Sequence, residues 1–441
     1  MSADQRKLIR IGLVGFGTVG QGVWKHLKAR QSDFEARVGG RLEFARVAVR
    51  DLKRKRAVEV PETILITDPM EIALDPDIDI LCELMGGTDL ALRVTRAALQ
   101  TGKTVVTANK ALLCEYGREL FALAEENQTR IYYEASVAGG IPIIKALREG
   151  LAANQFPLIY GILNGTCNYI LTRMQREGKG FDDIVDDARK LGYVEADEAL
   201  DLDGWDAAHK TAILAFLAHG KWISMNDMPV EGIREVTLED IRLAERLGYK
   251  IKLLAEIIRD LKRDTVFASV QPALVPESMV LASVDDVFNA VSVTGDIVGE
   301  SVYIGRGAGQ DPTASAVLSD IVDAAIAVVD EAKNGLYHRK QKDLQIAPLE
   351  SVCRPFYIRV VVKDEPGVLS EVSAILARHS ISIESVLQTP SKEKGLAQLV
   401  MTTHSTSERS MRDALHAFEG DSCIQQKPFI LRIADFEQSL N

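Results

Sequence analysis

At 441 residues the chain is longer than one hydrophobic core usually serves, so two or three domains are expected. With 46% hydrophobic and 26% charged residues it has the make-up of an ordinary globular protein and not of a disordered or fibrous one. A net charge of -11 repels phosphate backbones, and the one compact basic run, Lys53-Arg54-Lys55-Arg56, is too short to make a nucleic-acid surface.

The N-terminus enters a strand-like run at Leu8 without a basic segment and an apolar signal core. From residue 8 to about 150, apolar runs alternate with helix-period segments, and the predicted strands are 9–14, 44–49, 78–84, 104–107 and 131–134. Strands separated by helices imply an α/β fold with a parallel, doubly wound sheet of the Rossmann type over residues 1–150. Gly15-Phe16-Gly17-Thr18-Val19-Gly20 stands between the first strand and a helical run through Val23, Trp24 and Leu27. Gly15 allows a tight turn, Gly17 lets the backbone approach a pyrophosphate and Gly20 lets helix and strand pack closely, so this segment predicts a dinucleotide site at a helix N-terminus. At the end of the second strand Arg50 would suit the 2′-phosphate of NADP, and the adjacent Asp51 would suit the ribose of NAD. The basic residues that follow favour NADP and leave NAD open.

Residues 151–312 change rhythm. A strand-like 158–163 is followed by long amphipathic stretches, 206–219 and 238–259 among them, which predict a separate α+β substrate and dimerisation domain. A Gly-rich segment, Gly305 to Gly309, leads into an Ala- and Val-rich helix over 313–332, read as buried and as completing the first domain. Residues 334–354 are polar and unpatterned, a linker. Over 355–441 the order strand, helix, strand, strand, helix, strand predicts a ferredoxin-like βαββαβ module. No apolar stretch looks long enough for the roughly 20 residues of a spanning helix. The five cysteines show no Cys-x-x-Cys pair, so a reducing cytoplasm is the expected compartment, with no membrane and no nucleic-acid partner.

Leu191-Gly192-Tyr193-Val194-Glu195-Ala196-Asp197 and Asp201-Leu202-Asp203-Gly204-Trp205-Asp206-Ala207-Ala208-His209-Lys210 together resemble the substrate signature of homoserine dehydrogenases. The likeness extends to Glu83 to Gly87, Thr107 to Lys110, Asn164 to Asn168 and Gly305 to Ala314; Glu198, where the family commonly has proline, departs from it. The resemblance implies reduction of L-aspartate 4-semialdehyde to L-homoserine by a monofunctional enzyme, since no aspartokinase-like segment precedes residue 9. It assigns Lys210 as proton donor, Asp206 as its partner and Lys110 as a second lysine near the nicotinamide. Glu195, Asp201, Tyr193 and Thr166 fall in the substrate pocket, and Gly309 beside the cofactor. The residue types suit that chemistry, because an aldehyde receiving hydride becomes an alkoxide, which needs a nearby cationic acid, and Asp206 and Lys210, four apart on a helix, share one face. His209 points elsewhere and is read as packing. Glu134 to Ile141 is similar to the family's alkali-metal loop, with Glu134, Val137, Gly139 and Ile141 offering mostly main-chain oxygens to a sodium-like ion; a plain glycine-rich turn is the other reading.

Residues 356–434, with Asp364-Glu365-Pro366-Gly367-Val368-Leu369 between strand and helix, resemble ACT domains, the amino-acid sensors. The resemblance implies an effector at Asp364, Gly367, Val368 and Leu369, threonine being the expected one, and a homodimer or homotetramer. Removing everything beyond about residue 340 is expected to preserve activity, if the core stays folded, and to abolish inhibition. An inactive regulatory relative, or a dehydrogenase for another small semialdehyde or hydroxy acid, is the competing reading; intact Asp206, Lys210, Glu195 and the glycine loop argue against the first.

Overall fold

Six parallel strands open the chain: β1 (Leu8–Val14), β2 (Arg41–Ala48), β3 (Leu65–Ile66), β4 (Ile80–Glu83), β5 (Thr104–Thr107) and β6 (Ile131–Tyr132), ordered β3-β2-β1-β4-β5-β6. The computed structural model describes residues 6–190, 198–330, 342–391 and 393–435. On β1, Ile9, Ile11, Leu13 and Val14 are all fully buried, as a central parallel strand covered on both faces requires. Helices α1 (Thr18–Ala29) and α2 (Gln31–Val38) cover one face, and α3 (Pro69–Leu74), α4 (Asp89–Gln100) and α5 (Lys110–Glu126) the other. Strand order reverses between β1 and β4, the position at which such sheets leave a ligand crevice beyond the strand ends.

After the short α6 (Ile143–Lys145), the middle of the chain lays α7 (Gly165–Glu177), α8 (Phe181–Lys190), α9 (Ala199–Leu202), α10 (Trp205–His219) and α11 (Leu238–Arg246) around β7 (Leu158–Ile162), β8 (Tyr249–Asp260), β9 (Thr265–Pro276), β10 (Phe288–Gly295) and β11 (Gly299–Arg306). The stretch 238–259, read from the sequence as one helix, is two elements: α11 stops at Arg246, Gly248 turns the chain at φ 81, and β8 follows. Tyr249 to Leu253 alternates apolar and polar residues as a strand does, but the alternation breaks at Leu254 and residues 251–257 are buried throughout, so the run also fits the end of a helix. Helix α12 (Gln310–Val329) begins three residues before its expected start. Gly309 precedes it at φ 116, and Pro312 sits in the first turn, where no N–H is needed. Contrary to the reading that no stretch is long enough, α12 has the length and apolarity to cross a membrane, by composition alone. Here Ala314, Val317, Ile321, Ala324 and Ala325 pack it into the core of the N-terminal sheet, alongside α1.

Beyond residue 341, β12 (Gln345–Ile346) pairs with β9, so the stretch read as a linker is partly stitched to the middle sheet. After β13 (Cys353–Arg354) come β14 (Phe356–Lys363), α13 (Val368–Arg378), β15 (Ile383–Pro390), β16 (Leu396–Thr403), β17 (Thr406–Ser407), α14 (Glu408–Glu419) and β18 (Phe429–Ile433). The expected βαββαβ order is present, with strands arranged β18-β14-β16-β15. Strand β18 runs parallel to β9 through Arg432 and Ala273 and through Ile433 and Leu274, so the C-terminal sheet continues the middle one. Tyr357, Val400, Leu431 and Ile433 share a core cluster with the helices of the middle domain. Cutting the chain near residue 340 would therefore expose a sheet edge and apolar surface, the condition on which the expected effect of truncation depends.

Candidate active site

The glycine loop follows β1. Gly15 adopts φ 96, where a side chain is strained, and a Cβ there would strike the Leu84 backbone. A Cβ on Gly20 would strike the Gly15 carbonyl, whereas Gly17 faces open space. Helix α1 starts at Thr18 with Gly17 as its cap and no side chain on its free N–H groups, which leaves the positive end of the helix for an anion. Val14, Gly15, Phe16, Gly17, Gln21, Arg50, Asp51, Arg54, Arg56, Met85 and Gly86 line a cleft of about 330 Å³ here. Arg56 is committed to the carbonyls of Asp51, Leu52 and Arg54, and the Asp51 carboxylate accepts from Lys53 N at 2.8 Å. Thr18 and Val19 open α1, and Gln310 Nε2 donates to the Thr18 carbonyl at 2.9 Å, which brings Gly309 beside the loop.

The ends of β4 and β5 are tied together. Thr107 donates to Glu83 at 2.7 Å and Asn109 Nδ2 to the Gly87 carbonyl at 2.8 Å. Burial raises the Glu83 carboxyl to about 7, against the opposing pull of Thr107, Met85 and Asn109. Asn109 also caps α5, whose first residue is Lys110. Lys110 Nζ reaches Asp206 Oδ1 at 3.3 Å, and Lys210 Nζ lies 2.7 Å from Asp206 Oδ2. Lys210 also donates to the Leu163 carbonyl at 2.7 Å, so one of its three N–H groups has no partner among the described residues. Burial acts to raise the Asp206 carboxyl, but Lys210 and Lys110 override it and hold the group well below the usual carboxylate range. His209 is pushed down by burial and then by Lys110, in keeping with an uncharged packing side chain.

Asp201 joins this cluster through Asn164, whose Nδ2 donates to Asp201 Oδ1 at 2.7 Å and to Asp206 Oδ2 at 2.9 Å. Burial pushes the Asp201 carboxyl up, and hydrogen bonds from Asn164 and Thr166 oppose it. Lys110, Asp206, Lys210, Asp201 and Thr166 thus converge, whereas Tyr193 and Glu195 lie outside the described residues. Sequence reasoning placed Asn164 in a family-like motif, Asn164 to Asn168, but gave it no role of its own; in the structure it also caps α7.

In the expected metal loop, the Glu134 carboxylate is taken by the N–H groups of Ile144 and Lys145 at 2.8 and 2.9 Å. Ala138 and Gly139 are both left-handed, and the Ala138 carbonyl accepts from Ile141. An ion held here would use main-chain oxygens, those of Val137 and Gly139 first, because the one carboxylate in the loop is occupied. In the C-terminal module, Asp364, Gly367, Val368 and Leu369 line a cavity of about 360 Å³ with Lys363 and Gln388, at the uncapped start of α13.

Comparison with known proteins agrees with this geometry. The family model described as homoserine dehydrogenase matches residues 142–322, that of the homoserine dehydrogenase NAD binding domain residues 15–134, and that of the ACT domain residues 356–419. The chain is 41% identical over 433 residues to a homoserine dehydrogenase of Neisseria gonorrhoeae, covering 97% of this chain and 99% of that protein. Among solved structures it is similar to a homoserine dehydrogenase from Thiobacillus denitrificans, with a TM-score of 0.91 and 39% identity over 98% of this chain and 99% of that one. It is also similar to a hyperthermophilic archaeal homoserine dehydrogenase in complex with NADPH, with a TM-score of 0.61 and 29% identity over 72% of this chain and 98% of that one.

Proposed function

The chain belongs to the homoserine dehydrogenase family, and from that premise we propose that Lys210 delivers the proton of the reaction, with Asp206 and Lys110 arranged around it. It is an NAD(P)-dependent oxidoreductase acting on a CH–OH group, interconverting L-homoserine and L-aspartate 4-semialdehyde, and it carries an ACT domain. The nicotinamide, when bound, supplies or takes the hydride at the substrate carbon. The free N–H of Lys210 protonates the alkoxide oxygen and, in the oxidative direction, the amine recovers that proton. Asp206 holds the Lys210 ammonium, and Lys110 on its other oxygen adds positive charge where the oxyanion develops. Asp201 and Glu195 receive the substrate ammonium, and Tyr193 and Thr166 complete its pocket. The observation that carries this reading is the pair of lysines on the two oxygens of one buried carboxylate, at the strand ends where the cofactor cleft opens.

Gly15 to Gly20 and Gly309 hold the pyrophosphate side of the cofactor. Arg50 grips the 2′-phosphate, which makes NADP the preferred form: Asp51, the rival for the ribose, is turned onto its own backbone. A sodium-like ion at Glu134, Val137, Gly139 and Ile141 would brace the loop through main-chain oxygens. Asp364, Gly367, Val368 and Leu369 receive threonine as feedback effector. Residues 1–150 with helix α12 form the cofactor domain, the stretch from 151 to the start of α12 the substrate domain, 334–354 the connection and 355–441 the sensor, in a cytoplasmic homodimer or homotetramer without membrane or nucleic-acid partners. The test is an absorbance assay of homoserine oxidation with each oxidised cofactor, with and without threonine. Homoserine-dependent reduction of NADP in preference to NAD, suppressed by threonine, is expected; no homoserine-dependent turnover with either cofactor would overturn the reading.

A further inference from the structure

Asn164 is 3% exposed and stands between β7 and α7 as the cap of that helix. Its Oδ1 accepts from Cys167 N at 2.8 Å, which fixes the orientation of the amide. Flipping the group would aim its oxygen at two carboxylates and its NH₂ at an N–H. The NH₂ is therefore committed to Asp201 and Asp206, one hydrogen to each. The charged groups around it are Asp201 of α9, Asp206 and Lys210 of α10 and, behind Asp206, Lys110 of α5. Asp206 is matched by two lysines, whereas Asp201 makes no ion pair among the described residues and so keeps its charge for an incoming cation.

We propose that Asn164 is a positioning residue: its amide clamps Asp201 to Asp206 and so sets the distance between the carboxylate that receives the substrate ammonium and the carboxylate that holds Lys210. The inference rests on the roles given above to Asp201 and Lys210. Substrate bound by its ammonium then presents its reacting oxygen at a fixed reach from Lys210, and a slack clamp loses both anchoring and alignment.

Asn164→Asp separates this role from capping. Aspartate caps a helix as well as asparagine does, but an ionised carboxylate donates nothing, and it places a third negative charge beside the other two. The added buried charge should lower the melting temperature, but below the transition the full-length enzyme should keep its cofactor affinity, measured by fluorescence titration, while kcat/KM for homoserine falls about tenfold or more at pH 8. The ratio of variant to unmodified kcat/KM should rise as pH falls, because a protonated carboxyl at 164 regains one donor. Kinetics within about twofold of the unmodified enzyme at every pH, or a loss with a ratio that does not move with pH, would overturn the proposal. If Asn164→Asp does not fold, Asn164→Ser carries the same comparison: the hydroxyl caps the helix but is too short to span both carboxylates, so a loss of about tenfold at unchanged stability is expected, and no loss overturns the clamp. Lys210→Ala, measured in parallel, keeps the two ideas apart. If that variant stays active the catalytic reading fails; if it is inactive while Asn164→Asp is normal, only the clamp fails.

Discussion

Two clusters of buried charge lie in the middle domain, and they are built from different cations. At the site, Lys110 and Lys210 surround Asp206. At the seam with the C-terminal module the cations are arginines: Arg432 binds Glu231 at 2.6 Å and Glu408 at 3.0 Å, Arg354 binds Glu256 at 2.8 Å, and Arg359 binds Asp240 at 2.7 Å. Both clusters are paired and built around largely buried groups, Asp206 and Lys210 in one and Arg432 and Glu408 in the other, so neither burial nor pairing marks the site. The difference is the proton: lysine can release one and arginine in a protein cannot, while the forked guanidinium joins several acceptors at once. Lys252 adds a second criterion. It is a lysine, 2% exposed, yet its three N–H groups are used by Asn168, the Val284 carbonyl and Asp285, so nothing is left for a substrate. On the proposed reading, the reactive lysine is the one with an unspent N–H.

The largest effect expected from this contrast is on Lys210. Lys210→Ala should lower kcat by about 10²–10⁴-fold with cofactor affinity nearly intact, and Lys210→Arg should not restore turnover although it keeps the charge. An arginine variant with more than about a tenth of normal kcat would show that charge alone, not an exchangeable proton, is what the position supplies.

At the seam the expected loss is of stability. Arg432→Ala leaves the buried Glu408 with only Arg354, at 3.7 Å, while Glu231, 47% exposed, keeps Gln271; removing one partner of the buried Arg432 and Glu408 pair costs up to about 3–5 kcal/mol. A drop in the urea midpoint is expected, with kcat preserved below the transition. A midpoint unchanged by the substitution would mean that the β9 and β18 pairing holds the module without the ionic network.

A smaller effect, confined to one cofactor, is expected at the cleft. Arg50 lines it with no hydrogen-bond partner among the described residues. Arg50→Ala should raise KM for NADPH by about tenfold or more, the value of a hydrogen bond to a charged group, and leave KM for NADH within about twofold. Equal changes for both cofactors would remove Arg50 from the ribose.

How much of this the sequence disclosed depended on distance along the chain. Five of the six strands of the first sheet and its glycine loop were legible because each needs only a local pattern, β1 running directly into Gly15 and α1, whereas β3 is only two residues long and was missed. The same holds for Asp206 and Lys210, one helical turn apart. Strand β8 was misread because its alternation, Tyr249 to Leu253, breaks at Leu254 and follows a helix with only Leu247 and Gly248 between. The motif holding Asn164 was legible but its contacts, like the seam, were not: Asn164 meets carboxylates 37 and 42 residues away, and Arg432 meets Glu231 at a separation of 201. Only the fold brings such pairs together, and no spacing rule reaches them.

The gentlest test of the contrast concerns the spent lysine. Burial lowers the Lys252 ammonium to about 8, against the upward pull of Asp285. An unfolded lysine titrates near 10.4, so between about pH 8 and 10 the folded chain binds fewer protons than the unfolded one. Stability from this group therefore rises with pH across that window and is constant below it, where Lys252 is charged in both states. Lys252→Met removes the slope and the buried charge together. Relative to the variant, the unmodified enzyme should gain about 1–3 kcal/mol between pH 8 and 10 by urea unfolding, with homoserine kinetics at pH 8 within about twofold. If the difference in stability is flat with pH, the Lys252 ammonium stays charged throughout and its three acceptors outweigh its burial. If kinetics collapse while stability changes as expected, a lysine with no unspent N–H is serving the reaction, and counting free donors is the wrong way to tell a reactive lysine from a structural one.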